Sequence, residues 1–224
     1  TRWESGDEVL VYVPSKNQSG IYAYDDTRKQ FRPLDINNVV ANKGEVAYAY
    51  YPAILYSKTV NGKISISLNG MRTLEALGEN LPMSAKILST QSDPHPTAQF
   101  KNLCSILRVQ LTGCETITSV TLSNDNIPLA GGGTVAWSGD APTLTTSGGS
   151  KSITINLGNG ILLNENNANE YYFILPSSGT SMSGMKVSTK FSQSDGSYTY
   201  TPTLTRSRSG SLAYGRSQVF KVAL

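Results

Sequence analysis

Short segments with strand-forming patterns, separated by clusters of turn-forming residues, are the feature that most constrains how this chain can fold. Residues 63–68 place Ile64, Ile66 and Leu68 on one face of an extended chain and polar residues on the other, which is the period of a half-buried strand. Further strand-like segments lie at 8–13, 116–123, 152–157, 170–175, 185–191, 197–204 and 217–224. Turn clusters such as AGGGT, WSGDAP and SGGSK separate them. This spacing predicts an all-β protein made of β-sandwiches rather than of βαβ units.

The segment GEVAYAYYPAILYS, residues 44–57, contains four tyrosines and one charged side chain. In an extended chain Val46, Tyr48 and Tyr50 share one face, and Pro52 ends the run. We interpret the segment as a strand whose tyrosine rings cover a sheet, with their hydroxyls at the water boundary. The alternative is an aromatic platform that binds a ligand, but no polar side chains are gathered beside it.

Residues 99–111 fit a helical and a strand period equally well. No capping sequence precedes them, and the β-branched run 116–123 follows after a short turn, so we predict a strand that forms a hairpin with 116–123. In that hairpin Cys104 lies far along the first strand and Cys114 lies in the turn, beyond the roughly 7 Å between Cα atoms that a disulfide spans. We therefore predict two free thiols, with Cys104 buried as a small apolar residue.

The polar segment STQSDPHPTAQ, residues 89–99, has two X-Pro steps and no apolar period. In a chain of 224 residues, such a segment predicts a linker between two domains. We place the N-terminal β-sandwich domain at 1–92 and the C-terminal β-sandwich domain at 98–224.

The sequence offers little that could serve catalysis or bind a cofactor. The single histidine, His95, lies between two prolines of the predicted linker, and no phosphate-binding loop or nucleophile motif occurs. Asp25 and Asp26 precede two basic residues, and we interpret them as a solvated turn rather than as a catalytic carboxylate pair. We predict no catalytic, cofactor-binding or metal-binding residues and no enzymatic activity.

Two polar segments leave binding alternatives open. The stretch 157–170, with Glu165 and Glu170, is interpreted as a surface loop, and Ca²⁺ binding stays open although the alternating acidic ligands of a strong site are missing. Residues 206–216 carry three arginines and no acid; we interpret them as an exposed hairpin, with a glycan or an anionic surface as the alternative partner. The net charge of +3 is too weak to predict nucleic-acid binding, and no apolar run approaches the roughly 20 residues that span a bilayer.

The order of several motifs resembles the fimbrillin-like family, the type V pilins of Bacteroidetes-type bacteria with their tip and anchor relatives. The resemblance covers the whole length and rests on order and spacing rather than on one specific motif. One departure is Asn102, where the family often has His. The matching segments are WESGDEVLVYV, YAYYP, QFKNLCSILRVQLTG followed by ETITSVTLSNDNIPLAGGGTV, YYFILPSSG, and MKVSTKFSQSDGSYTY.

The resemblance implies two transthyretin-like, Greek-key β-sandwich domains in tandem, in a protein exported to the outer membrane as a lipoprotein. The signal is expected to be removed already, and the lipidated cysteine would lie upstream of Thr1. The family implies a non-enzymatic fimbrial or adhesin subunit at the cell surface, which joins other fimbrial subunits by strand addition and supports adhesion to a host glycan or protein receptor. The alternatives are a surface glycan-binding module that uses exposed tyrosines and an accessory domain of a glycoside hydrolase.

The segment 217–224 is expected to be the last strand of the second domain, pairing within its own sheet. Its bulky apolar residues Phe220, Val222 and Leu224 alternate with smaller or charged ones, so we expect these three to face the core. Because no spare segment follows Leu224 in this sequence, we expect a monomer and favour a tip or accessory subunit over a stalk repeat, although stalk, tip and anchor roles all stay open.

Overall fold

The computed structural model describes residues 2–34, 39–58, 63–68, 81–89, 96–176 and 183–191, together with the backbone of 217–223. Within these ranges every regular element is a β-strand, apart from single turns of 3₁₀ helix at Pro14–Lys16 and Ala53–Leu55. The predicted all-β class is confirmed. The predicted strand at 197–204 lies outside the described residues.

The described strands are numbered in chain order. The first eight are β1 Glu8–Val13, β2 Gln18–Asp25, β3 Gln30–Pro33, β4 Val46–Tyr51, β5 Tyr56–Lys58, β6 Ile64–Leu68, β7 Met83–Leu88 and β8 Lys101–Asn102. The others are β9 Cys104–Thr112, β10 Thr116–Asn124, β11 Gly131–Ser138, β12 Ala141–Thr146, β13 Ser152–Leu162, β14 Asn169–Pro176, β15 Met185–Phe191 and β16 Ser217–Ala223.

The chain divides into two compact units. Among the described residues, unit 1 takes in the chain up to Ser67, the part from 81 to Leu103, and Gly133–Thr145. Unit 2 takes in Cys104–Gly132 and the chain from Thr146 onward. Each unit contains two sheets, in keeping with the predicted sandwich architecture.

Unit 1 has a six-stranded sheet, in the order β3-β2-β1-β4-β7-β8, and a four-stranded sheet, in the order β12-β11-β6-β5. The strand β1 is buried on both faces, because Val9 packs with Tyr51 and Met83 on one side while Leu10 is buried on the other. Successive side chains of a strand point to opposite faces. The lack of polar alternation in 8–13 therefore reflects a strand that is covered on both sides.

Unit 2 has two three-stranded sheets, in the orders β13-β10-β15 and β14-β9-β16. Alternate residues of β9, β10 and β14 meet in one core, in which Leu107, Ile117 and Phe173 are each 0% exposed. Burying side chains of this size contributes roughly 1.5–3 kcal/mol each to folding. The apolar alternation of 116–123 thus identifies the face that β10 buries.

The predicted hairpin between 99–111 and 116–123 is wrong. Strand β9 pairs with β14 and β16, whereas β10 pairs with β13 and β15, so the short turn between them carries the chain from one sheet to the other. Both strands have a complete apolar face. Packing two such faces against each other across a sandwich buries both, which side-by-side pairing in one sheet does not do.

Both cysteines are free, as predicted. Cys104 is buried and Cys114 is exposed. Burial raises the pKa of the Cys104 thiol, so this side chain stays protonated and behaves as a small apolar residue. The prediction of two free thiols is thus confirmed, although it was argued from a hairpin that does not form.

The last strand pairs within unit 2, as predicted. Strand β16 lies parallel to β9, from Ser217 opposite Ile106 to Ala223 opposite Thr112. Its side chains are not among those that the structure describes, so the core-facing role of Phe220 stays a prediction.

A hairpin that the sequence analysis did not predict completes the second sheet of unit 1. Strands β11 and β12, residues 131–146 and here called the arm, follow β10 of unit 2 yet lie beside β6 of unit 1. The compact units are therefore not contiguous in sequence. A domain made of 1–92 alone would lack two of the four strands of this sheet. The predicted limits 1–92 and 98–224, with the linker 89–99, stay predictions.

Glycine allows a close crossing of the chain where the arm begins and ends. The backbone N–H groups of Leu129 and Ala130 both donate hydrogen bonds to the carbonyl oxygen of Ser150. A Cβ atom added to Gly149 would lie 2.0 Å from the Ala130 carbonyl oxygen, and Gly149 has a φ of +131°. Only glycine fits at this position, because any side chain meets backbone atoms that cannot move aside.

We expect Gly149→Ala to destabilise the protein by about 2–4 kcal/mol, because the new methyl group overlaps the Ala130 carbonyl and the residue must keep a positive φ. The free energy of unfolding from urea titration measures the loss. Gly132→Ala is the matched control, since nothing lies within 4 Å of a Cβ at Gly132, and we expect a change within about 0.5 kcal/mol. Equal losses in the two variants would show that the crossing is not the tight point.

Limited proteolysis within 89–99 should give two fragments of about 11–14 kDa on a denaturing gel, because exposed linkers are nicked first. Under native conditions the fragments should elute together, because the arm and the strand β8 of the second fragment both belong to unit 1. Native gel filtration of the nicked protein checks this. Separation without denaturant would contradict the docking of the arm, and resistance at 89–99 would contradict the predicted linker.

Candidate functional site

The tyrosines of the segment 44–57 are mostly buried. Tyr50, Tyr51 and Tyr56 are 2%, 3% and 7% exposed. Tyr51 Oη donates a hydrogen bond to Asp7 Oδ1 at 2.9 Å, and Tyr56 Oη donates one to the carbonyl oxygen of Met83. Burial raises the pKa of Tyr50. The interpretation as a strand is confirmed for Val46–Tyr51, and this segment forms no exposed aromatic platform. The prediction that the hydroxyls lie at the water boundary is wrong for Tyr56, whose hydroxyl is buried with its hydrogen bond.

A second aromatic group is centred on Trp3. The rings of Phe31, Tyr51 and Phe100 each have their centroid 5.0 Å from that of Trp3, at interplanar angles of 83°, 83° and 65°. Such edge-to-face arrangements turn the rings towards each other. The group packs on the six-stranded sheet together with Val9, and its geometry is that of a small core rather than of a flat sugar-binding surface.

The carboxylates of Asp25 and Asp26 stabilise a turn. Asp25 accepts a hydrogen bond from the Arg28 guanidinium at 2.9 Å and another from the backbone N–H of Thr27. The Arg28 hydrogen bonds lower the pKa of the Asp25 carboxyl. Asp26 pairs with Lys29 at 2.7 Å. The predicted solvated turn is confirmed.

The oxygen-rich stretch 157–170, predicted to be a surface loop, is a loop only at residues 163–168, because β13 extends to Leu162 and β14 begins at Asn169. Hydrogen bonds already engage several of its oxygen atoms. Glu170 accepts hydrogen bonds from Gln110 and Tyr172, and Asn164 Oδ1 accepts one from the backbone N–H of Asn166 at 2.7 Å. In the part of the chain that the structure describes, no group of three or more His, Cys, Asp or Glu side chains could hold a metal ion. His95 and the arginines of 206–216 lie outside that part.

The arm is the feature of the described chain that most resembles a docking site. Trp137 of β11 stacks on Tyr48 of β4, with ring centroids 5.4 Å apart and an interplanar angle of 25°. Its indole Nε1 donates a hydrogen bond to Ser84 Oγ at 3.1 Å. Val135 and Leu144 of the arm are 5% and 0% exposed. The arm thus inserts an apolar face into unit 1 and positions it with one aromatic side chain.

Hydrogen bonds from two lysines hold the tip of the arm, and these contacts are here called the latch. Lys86 Nζ donates hydrogen bonds to the Gly139 carbonyl oxygen and to Asp140 Oδ1, both at 3.0 Å, and Lys101 Nζ donates one to the Asp140 carbonyl oxygen. The Lys86 hydrogen bond lowers the pKa of the Asp140 carboxyl. Asp140 is 89% exposed, so water screens this pair and its contribution is small. The latch orients the tip, while the buried face supplies most of the stability.

The segments AGGGT, WSGDAP and SGGSK were predicted only as turns, and the two strands between them were not predicted. The signal was present. Val135 and Trp137 alternate with smaller residues before the turn, and Pro142 and Leu144 alternate with threonines after it, which is the pattern of a hairpin with a short loop. No pattern within the segment, however, indicates that it joins a sheet formed by residues far earlier in the chain.

The residues that the structure describes include no helix with the length and hydropathy of a membrane-spanning segment. No protein-family model matches the chain, and no curated protein matches it in sequence.

Several solved structures share its fold. A crystal structure from Bacteroides uniformis, described as a "putative cell adhesion protein", superposes with a TM-score of 0.65 at 16% identity, covering 99% of this chain and 87% of that one. A protein from Bacteroides ovatus with the same description gives a TM-score of 0.55 at 16% identity, over 99% and 83% of the two chains. A third, from Bacteroides thetaiotaomicron, gives 0.52 at 12% identity, over 98% and 80%. At these identities the similarity shows that the chain has the same fold as these proteins.

Proposed function

We propose that this protein is a non-enzymatic subunit of the bacterial cell surface that supports adhesion and assembles with other fimbrial subunits by strand addition. The observation that carries the proposal is the similarity in fold, over 99% of the chain and with a TM-score of 0.65, to a protein described in terms of cell adhesion. The resemblance of the ordered sequence motifs to fimbrillin-like proteins supports the same conclusion independently.

The edges of the sheets support assembly by strand addition. Strand β13 has a neighbour on one side only among the described strands, and none of its eleven residues is charged. Near its end Leu162 is 68% exposed. Natural proteins usually protect such edges with charge or proline, and an open edge can accept a strand from a partner through main-chain hydrogen bonds. The proposed partners are therefore other subunits of a fimbrium, with a host glycan or protein as the receptor.

The remaining parts of the proposal follow from the family resemblance. We place the protein on the outer membrane or in a fimbrium after export, with any attachment through a lipid anchor upstream of Thr1. No enzymatic activity is included in the proposal. Two of the carboxylates considered above, those of Asp25 and Glu170, are engaged by neighbouring side chains and, for Asp25, by backbone N–H groups.

Surface exposure is the first expected consequence. In the source bacterium, antibodies raised against residues 1–224 should label intact cells, and protease added outside the cells should remove the label. A strain without the gene should lose both the labelling and adhesion to host cells, and restoring the gene should recover them. Labelling that appears only after lysis would contradict the proposed location.

Strand addition at β13 predicts that Asn156→Lys should reduce assembly, because a lysine on an edge strand disfavours pairing with another strand. Asn156 is exposed and lies within β13. Fibre length in electron micrographs of producing cells measures the effect. Asn166→Lys adds the same charge in the exposed loop after β13 and should leave fibres unchanged. Normal fibres in the Asn156→Lys strain would exclude this edge as the acceptor.

A further inference from the structure

We propose that the arm, residues 131–146, is an exchangeable element that can leave unit 1 of its own chain and complete the four-stranded sheet of unit 1 in a second copy of this chain. The inference rests on the proposed function, because it names a segment and a partner through which subunits could join. The partner is identified by complementarity, since a second copy presents the same acceptor residues.

The acceptor is incomplete without the arm. The four-stranded sheet has the order β12-β11-β6-β5, so among the described strands removing the arm leaves β6 paired with the three-residue strand β5 alone. A two-stranded pair of this length is marginal by itself. Ile66 of β6, 3% exposed in the closed arrangement, lies next to Gly133 and Leu144 and would lose this cover. Docking of an arm of this sequence therefore stabilises unit 1, whether the arm belongs to the same chain or to a second copy.

The arm is equally dependent on an acceptor. It is itself a single two-stranded hairpin, which is at best marginally stable in water. Its anchors, Trp137 and Asp140, contact residues of unit 1 that lie outside the arm, namely Tyr48, Ser84, Lys86 and Lys101. All of these contacts can form between two chains as well as within one. Exchange therefore conserves the docking interactions, and protein concentration decides between the two arrangements.

Both ends of the arm are rich in glycine. Gly131, Gly132 and Gly133 are its first three residues, and Gly148 and Gly149 follow shortly after its end. The close crossing explains Gly149 and Gly131, but nothing lies within 4 Å of a Cβ at Gly132, whose φ does not call for glycine. Gly132 is thus a glycine that packing does not require. Glycines at the two ends of one segment lower the barrier to changing its direction, as expected for hinges.

Exchange can be reciprocal or sequential. Two copies that swap arms form a closed dimer, whereas copies that each pass the arm to the next one form an open chain. An open chain adds one subunit at a time through a hairpin, which is strand addition with two strands instead of one. This makes the arm a second route of assembly beside β13, which is an edge strand among the described strands.

Mixed refolding of two reporter variants tests the exchange. One full-length chain carries Lys86→Cys in the acceptor, and the other carries Asp140→Cys in the arm. Both carry Cys114→Ser to remove the exposed native thiol, while Cys104 is buried. The chains are unfolded together, refolded at high protein concentration and treated with a short bis-maleimide. Because Lys86 Nζ and Asp140 Oδ1 lie 3.0 Å apart in the docked arm, thiols at these two positions lie close enough for a short cross-linker, and docking between chains should give a covalent heterodimer.

The control mixture replaces Lys86→Cys by Lys29→Cys, which is 67% exposed in the β2–β3 turn of the same unit, and should give no heterodimer. A single chain with Lys86→Cys and Asp140→Cys, refolded in dilute solution, should give an intrachain link and show that the variants fold with the arm docked. Heterodimer in the first mixture alone supports exchange. An intrachain link with no heterodimer above the control overturns it, and so does absence of the intrachain link.

These measurements use purified chains and do not depend on export, surface location or adhesion. Exchange in the purified protein together with label that appears only in lysed cells would overturn the proposed function and leave this inference standing. Labelled intact cells together with no exchange would overturn this inference alone.

Discussion

The pairing of the arm with β6 is the interaction on which the architecture of unit 1 depends. It turns a pair of short strands into a four-stranded sheet and covers the apolar face that Ile66 and Leu144 share. Its stability comes mainly from this buried face and from the stacked Trp137, because the charged contacts at the tip are open to solvent and are screened. The same pairing also makes the two compact units interleave along the chain.

The arm places opposing demands on the backbone at its two ends. The chain must cross itself closely, which requires glycine at Gly149, and it must also leave unit 2 and return to it within a short segment. The hydrogen bonds from Leu129 and Ala130 to Ser150 fix the crossing. The crossing is tightly packed, and its glycines are the hinges that the proposed exchange requires. For this reason the crossing is relevant both to stability and to assembly.

Aromatic residues serve packing more than recognition in the described part of the chain. The buried tyrosines of β4 and the edge-to-face group around Trp3 fill the two faces of the six-stranded sheet. Trp137 is the aromatic residue that joins the arm to the rest of unit 1. The surfaces best suited to a partner are therefore backbone edges and the arm, which agrees with an assembly function better than with a sugar-binding platform.

The sequence by itself determined the all-β class, the positions of strands such as β1, β10 and β15, and the buried faces, because two-residue alternation is a local property. It also located the turn at Asp25. Only the tertiary structure decided that β9 and β10 lie in different sheets, that β16 runs parallel to β9, and that the arm belongs to unit 1. Which strands become neighbours depends on how complete apolar faces cover one another, and residues far apart in the sequence supply those faces.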